Sequence, residues 1–119
     1  MMDKITLGRK AEDLAADYLQ GQGYQIVERN FRCFCGEIDI IAFDGADLVF
    51  VEVRSKRSAF AGLPQETVTW PKQQRLRRLA QYYLWQKKRT QQNCRFDVVG
   101  LLFDRENEMV SLEVIKDAF

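Results

Sequence analysis

The chain has 119 residues, 46% of them hydrophobic and 29% charged, with a net charge of +1, the balance of one soluble globular domain over 1–119. No apolar run approaches the roughly 18–20 residues needed to span a bilayer. The opening Met-Met-Asp-Lys-Ile-Thr-Leu-Gly lacks a signal peptide's apolar segment, so the expected compartment is the cytoplasm.

In chain order, the first predicted element is a helix over 8–22. Ala11, Leu14, Ala15, Tyr18 and Leu19 recur at three-and-four spacing on one apolar face, and Gly21 and Gly23 supply the stop signal. Glu12 sits at the flank of that face. It is either an acid leaning over a neighbouring strand or a solvated acid favoured by the helix dipole. A strand over 24–30 follows, then a polar connection over 31–35. Cys33, Cys35 and Cys94 are an odd count in a chain without histidine. They fit neither a disulfide framework nor the usual zinc ligand sets, and read as reduced thiols.

Next come two strand-like runs, 37–43 and 48–54, around the turn Asp44-Gly-Ala-Asp47. A symmetric closure sets Asp39 opposite Glu52 and Glu37 opposite Arg54, all on one face with Ile41 and Phe50. Ile38, Ile40, Val49, Val51 and Val53 occupy the other face. Like charges directly opposite each other destabilise a sheet, and a buried carboxylate without a partner is costly. A divalent cation resolves both problems. Mg²⁺ is commonly held by one or two carboxylates plus water, and Glu52 and Arg54, two apart on a strand, emerge together. An exposed charged hairpin is the competing reading. Glu37 reads as a salt-bridge partner of Arg54 or an acid supporting the site from behind the ligands, more than as a ligand.

The connection over 55–71 contains Gly62, Pro64 and Pro71 and is expected to be mobile near its tip. A second helix over 72–89 buries Leu76, Leu79, Ala80, Tyr83 and Leu84. Lys72 lies one turn before Leu76 and faces the sheet, although snorkelling to solvent suits a lysine as well. Residues 67–95 hold eight Lys and Arg and no acid, leaving ten bases against 17 acids elsewhere. Such a localised basic element is the footprint of a phosphate-backbone partner, and it also suits a solubilising helix face. Arg75, Arg77, Arg78, Lys88 and Arg89 fan around the exposed arc, a distribution suited to generic backbone contact. Tyr82 and Trp85 lie off the buried stripe, able to stack on unpaired bases or to pack in the core or against a partner. Strands over 95–103 and 109–115 complete the order α-β-β-β-α-β-β, an α/β domain with a mixed sheet flanked by helices. Asp97, on the first of these strands, reads as structural.

The stretches Gly8-Arg-Lys-Ala-Glu-Asp-Leu-Ala15, Gly36-Glu-Ile-Asp-Ile-Ile-Ala42 and Leu48-Val-Phe-Val-Glu-Val-Arg54, with Lys72 and Arg95-Phe-Asp-Val-Val99, resemble the YraN-like group, uncharacterised protein family 0102, over nearly the whole chain. The resemblance implies a restriction-endonuclease-like fold of the PD-(D/E)xK kind, similar to Holliday junction resolvases. Carried onto this sequence, it implies Asp39 and Glu52 as ligands of Mg²⁺ or Mn²⁺, the Val53 carbonyl as a further ligand, and Glu12 as the first-helix acid. Arg54 stands where those nucleases have a lysine. Arginine stays protonated and cannot act as a base, though it can neutralise phosphate; Lys72 is the candidate substitute. The expected activity is Mg²⁺-dependent endonuclease cleavage of DNA, branched or structured forms included. A catalytically silent nucleic-acid-binding module and a protein-interaction adaptor are the alternatives. A homodimer is expected by analogy with resolvases alone.

Overall fold

Asp3 opens the first helix by accepting the Thr6 N–H through its side chain at 2.8 Å. The computed structural model describes residues 2–57 and 64–119, so the loop tip expected around Gly62 lies outside the described residues. Helix α1 spans Lys4–Gly21, starting a turn earlier than the apolar periodicity predicts because the cap lies ahead of the first stripe residue. Strands β1 (Gln25–Cys33), β2 (Gly36–Asp44) and β3 (Asp47–Lys56) follow. A short 3-10 helix (Pro64–Thr67) precedes helix α2 (Trp70–Gln86), and β4 (Cys94–Phe103) and β5 (Met109–Ile115) end the order. The observed order is the predicted one.

Other boundaries moved for physical reasons. Strand β1 extends to Cys33 because Phe31 is buried, its ring edge-on to Tyr83 at 5.1 Å. Pro71 belongs to α2, where a first-turn proline loses no hydrogen bond. Helix α2 ends at Gln86, so Lys88, with φ of 57°, and Arg89 lie beyond it.

The strands lie side by side in the order β1-β2-β3-β4-β5. All pairs are antiparallel except β3 with β4, whose parallel pairing needs the long crossover that carries α2. Each helix covers one face of the sheet. Leu7, Ala11, Ala15 and Leu19 of α1 pack on Ile40, Ala42, Val49, Val51, Val99 and Leu101. Leu76, Leu79, Ala80 and Tyr83 of α2 pack on Phe31, Ile38, Ile41, Phe50, Phe96 and Val98. The protein is thus an α/β fold with a five-stranded mixed sheet between two helices.

Gly100 of β4 is buried under Pro64, and a Cβ there would run into the proline ring. Gly100→Ala must therefore push the 3-10 helix off the sheet, at an overpacking cost of about 1–3 kcal/mol. Urea unfolding should show a lower midpoint with an unchanged slope. An unchanged midpoint would mean that Pro64 does not sit on β4.

Candidate carboxylate site

The hairpin closes in the expected register from Asp44↔Asp47 to Ile40↔Val51, and regular pairing stops there. The cause lies at Asp39, where the alternation of β2 breaks. Ile38 packs with the α2 cluster, yet Ile40, two residues on, packs with the α1 cluster. Asn30, between the Arg29↔Ile40 and Phe31↔Ile38 pairs of β1 and β2, adopts φ of 55°, a conformation asparagine tolerates better than most residues. Past this point the Asp39 carboxylate takes the place of a backbone acceptor, receiving the Val53 N–H at 2.8 Å.

The break distributes the acids over both sides of the sheet. Single carboxylate oxygens of Glu12, Glu37 and Asp39 lie within 4.8 Å of one another, on the α1 side. Glu52 is buried toward α2, 3.4 Å from Lys72 Nζ and 3.7 Å from an Arg54 nitrogen. The expectation that Glu37, Asp39, Glu52 and Arg54 share one face with Ile41 and Phe50 is therefore corrected, as is the grouping of Ile38 with Ile40. Glu37 pairs with Arg32 at 2.9 Å instead of Arg54, because the strands no longer pair where Glu37 would face it.

Asp39 couples the two groups. Burial pushes its carboxyl up to about 8, helped by a hydrogen bond with the Glu52 carboxyl and by that group's charge. The Val53 N–H works in the opposite direction, while the charge of Glu12 adds to the rise. Glu12 leans over β1, its Oε1 accepting from Arg29 at 3.1 Å and from Asn30 Nδ2 at 2.8 Å. Glu12, Glu37, Asp39 and Val53 line one cleft of about 760 Å³, with Gly8 and Arg9 at its helix wall. Arg54 is anchored by Thr67, donating from Nε to the hydroxyl at 3.0 Å and from Nη2 to the carbonyl at 3.2 Å. Lys72, which could have snorkelled away, keeps its amine beside Glu52 with its side chain one-third exposed (32%).

The cations of the α2 region do not share one surface. Arg77 lies over the Phe96 and Phe119 rings at 5.2 and 5.7 Å, and Arg89 lies over Phe43 at 5.5 Å. Arg75 borders Gly36, and the charge of Arg78 acts on Cys35, so both sit on the opposite flank, beside the β1–β2 turn. Arg29 and Asn30 are the site neighbours that sequence reasoning missed, and Glu37, expected beside the site as a salt-bridge partner or supporting acid, stands in the carboxylate cluster itself. Glu37 carried a signal, standing two residues before Asp39 on the same strand. Arg29 and Asn30 carried none, since their approach to Glu12 depends on how α1 crosses β1.

In chemical terms the cluster is all oxygen, with no thiol or imidazole among its donors. That is a donor set for hard divalent cations such as Mg²⁺ or Mn²⁺. The half-buried Asp39 carboxyl resists ionisation where it stands, and a cation beside it would relieve that resistance.

Uncharacterised protein family UPF0102 matches the chain over residues 11–101. Glu12, Glu37, Asp39, Glu52, Arg54 and Lys72 all fall within that span. A UPF0102 protein of Moorella thermoacetica is 49% identical over 118 residues, covering 99% of this chain and 98% of its own length. A second, from Caldicellulosiruptor saccharolyticus, is 43% identical over 118 residues, covering 99% of this chain and 100% of its own. A third, from Syntrophus aciditrophicus, is 46% identical over 119 residues, covering 100% and 92%. A match running from α1 through most of β4, with relatives aligned nearly end to end, establishes that the chain belongs to the UPF0102 family.

Proposed function

We propose that this protein is a divalent-cation-dependent nuclease that hydrolyses phosphodiester bonds in DNA, branched or otherwise structured forms included. The observation that carries the reading is the half-buried Asp39 carboxyl held between Glu12 and Glu37 on one side and Glu52 on the other, with Lys72 and Arg54 beside Glu52. Asp39, Glu52 and Glu12 would hold Mg²⁺ or Mn²⁺, with the Val53 carbonyl as a backbone ligand and Glu37 as a further acid of the cluster. A cation bound there supplies positive charge for the phosphate and a water of lowered pKa.

The protein's own residues do the rest. Arg54, fixed by Thr67, presents a permanent positive charge to the phosphate oxygens. Lys72 adds a second charge and a proton donor for the departing oxygen. Arg75 and Arg78 contact the nucleic-acid backbone near the head of α2. Lys88, beyond the helix, adds charge without a fixed place at the site, and Arg77 and Arg89 contribute less, drawn as they are onto aromatic rings. The restriction-endonuclease-like arrangement, the cytoplasm as compartment and a resolvase-like homodimer belong to the same proposal. Among the described residues no helix is long and apolar enough to cross a membrane.

A nucleic-acid-binding module without hydrolysis is the second reading. Arg54 favours it, since an arginine in the lysine position cannot take a proton from water. Purified protein is incubated with duplex, single-stranded, flapped and four-way-junction DNA and Mg²⁺ or Mn²⁺, beside Asp39→Ala and Glu52→Ala. The nuclease reading expects cleavage by the native protein and none by either variant. Cleavage that survives both substitutions sinks the site, and salt-sensitive binding without any cleavage selects the binding module. Absence of binding to every nucleic acid leaves the adaptor reading.

A further inference from the structure

Helix α2 carries Lys72, Arg75, Arg78, Tyr82 and Trp85 at successive spacings of three, three, four and three. Residues so spaced share one side of a helix, and at 1.5 Å per residue the row is about 20 Å long. At one end Lys72 meets Glu52 of the carboxylate site. At the other the side chains become aromatic. Trp85 is 67% exposed, and its ring lies 5.9 Å from that of Tyr82. Phe34, at the tip of the β1–β2 turn, is 88% exposed and meets Tyr82 edge-on at 5.4 Å.

The core does not require this grouping. Phe34 and Trp85 bury little of their own surface, so exposing them gains nothing for the fold. Among the described residues neither Arg75 nor Arg78 has a carboxylate partner. A second copy of the chain laid on this face by a twofold axis would bring the same cations and aromatics and no carboxylate from the row itself, adding positive charge without neutralising any. A polyanion that also offers flat rings satisfies both halves of the row. Single-stranded nucleic acid has that chemistry: phosphates for the arginines and unpaired bases for Tyr82, Trp85 and Phe34. A duplex keeps its bases stacked inside and could use only the cationic half.

We infer that the Arg75–Arg78–Tyr82–Trp85 side of α2, with Phe34, is a binding track for single-stranded nucleic acid leading away from the carboxylate site. The inference rests on the nucleic-acid part of the function proposed above and not on hydrolysis. It makes the preferred ligand a duplex or junction with an unpaired arm.

The test reads binding separately from cleavage. Fluorescence anisotropy with a labelled oligo(dT) strand and a blunt duplex of equal length gives the two affinities at several salt concentrations, without divalent cations. In Trp70→Phe protein, the emission of Trp85 should be quenched as the strand saturates. Trp85→Ala should weaken strand binding by about 5- to 150-fold, the range for one base–aromatic stack. Its duplex affinity should stay within about twofold. Arg75→Gln with Arg78→Gln should weaken both ligands and flatten the salt dependence.

Unchanged strand affinity in folded Trp85→Ala, or unquenched Trp85 at saturation, overturns the track. So does a sedimentation result in which the native protein dimerises and Trp85→Ala does not, because a second copy then covers the face. Asp39→Ala separates the two proposals, since it should bind the strand normally. Strand binding without metal-dependent cleavage in the native protein removes hydrolysis and leaves the track. Cleavage with a strand affinity indifferent to Trp85 does the reverse.

Discussion

Asp39→Asn should melt at a higher temperature than the native protein, while metal-dependent cleavage falls by at least about 10²–10³-fold, the range for losing one preorganised transition-state contact. The two effects share one cause. In the fold the Asp39 carboxyl is pushed from an ordinary 3.8 up to about 8 by burial and by the adjoining Glu52. A raised carboxyl opposes folding whenever it must ionise, so its contribution to stability is most favourable below its unfolded value. That contribution declines as pH climbs from about 4 to about 8 and is constant above. Asparagine keeps an oxygen for the Val53 N–H and a donor for Glu52, and has no proton to lose. The stability gap between variant and native should therefore widen from pH 4 to pH 8 and then level off. Each kcal/mol of the gap moves the melting temperature by roughly 4 °C at this chain length.

On the proposed function, divalent cation should reverse the ranking. A ligand that binds only the folded state at 100 times its dissociation constant adds about 2.7 kcal/mol. Mg²⁺ or Mn²⁺ should raise the native melting temperature, more strongly at pH 8 than at pH 5, and leave Asp39→Asn where it was. Calorimetric melts of both proteins across pH, with metal and with chelator, check all of this. A native protein whose melting temperature ignores both cations at pH 8 would remove the metal from the proposal.

How much of this the sequence carries depends on the range of the interaction that decides each feature. The element order followed from local periodicity, because Ala11, Ala15 and Leu19, like Leu76, Leu79 and Tyr83, repeat at helical spacing and are buried as that spacing demands. The register of the hairpin tip followed too, since a short turn fixes which residues meet. What the sequence could not show was where the alternation fails. Ile38, Asp39 and Ile40 read as an ordinary alternating run. Only the pairing of β1, with Asn30 in a left-handed conformation beside Asp39, reverses the side on which Ile38 lies. That one irregularity moves Glu37 and Asp39 across to Glu12 and gives Glu37 a place in the cluster. Arg54 and Lys72 sit beside Glu52 in the structure, and the anchoring of Arg54 by Thr67 comes from a segment with no periodicity to read.

A second acid should behave in the opposite way. Asp97 has no exposed surface, and every bond it accepts is internal. Its oxygens take the Tyr24 hydroxyl at 2.7 Å, Arg95 Nε at 2.9 Å and the Asp117 N–H at 3.0 Å. Arg95 in turn reaches Asp44 and Asp47, so the network ties α1's exit, the hairpin turn, β4 and the chain's last residues together. Asp97→Ala leaves a buried hydroxyl and a backbone N–H without acceptors and takes from Arg95 its most buried partner. Breaking a buried charged pair from one side costs about 3–5 kcal/mol, which corresponds to a fall of roughly 10–20 °C in melting temperature. Asp97→Asn keeps one acceptor oxygen and should lose less. On the proposed function, both variants, assayed at a temperature where they remain folded, should match the native protein in cation binding and DNA cleavage, because Asp97 takes no part in the Asp39 cluster. Loss of cleavage without loss of stability would instead make Asp97 a member of the site.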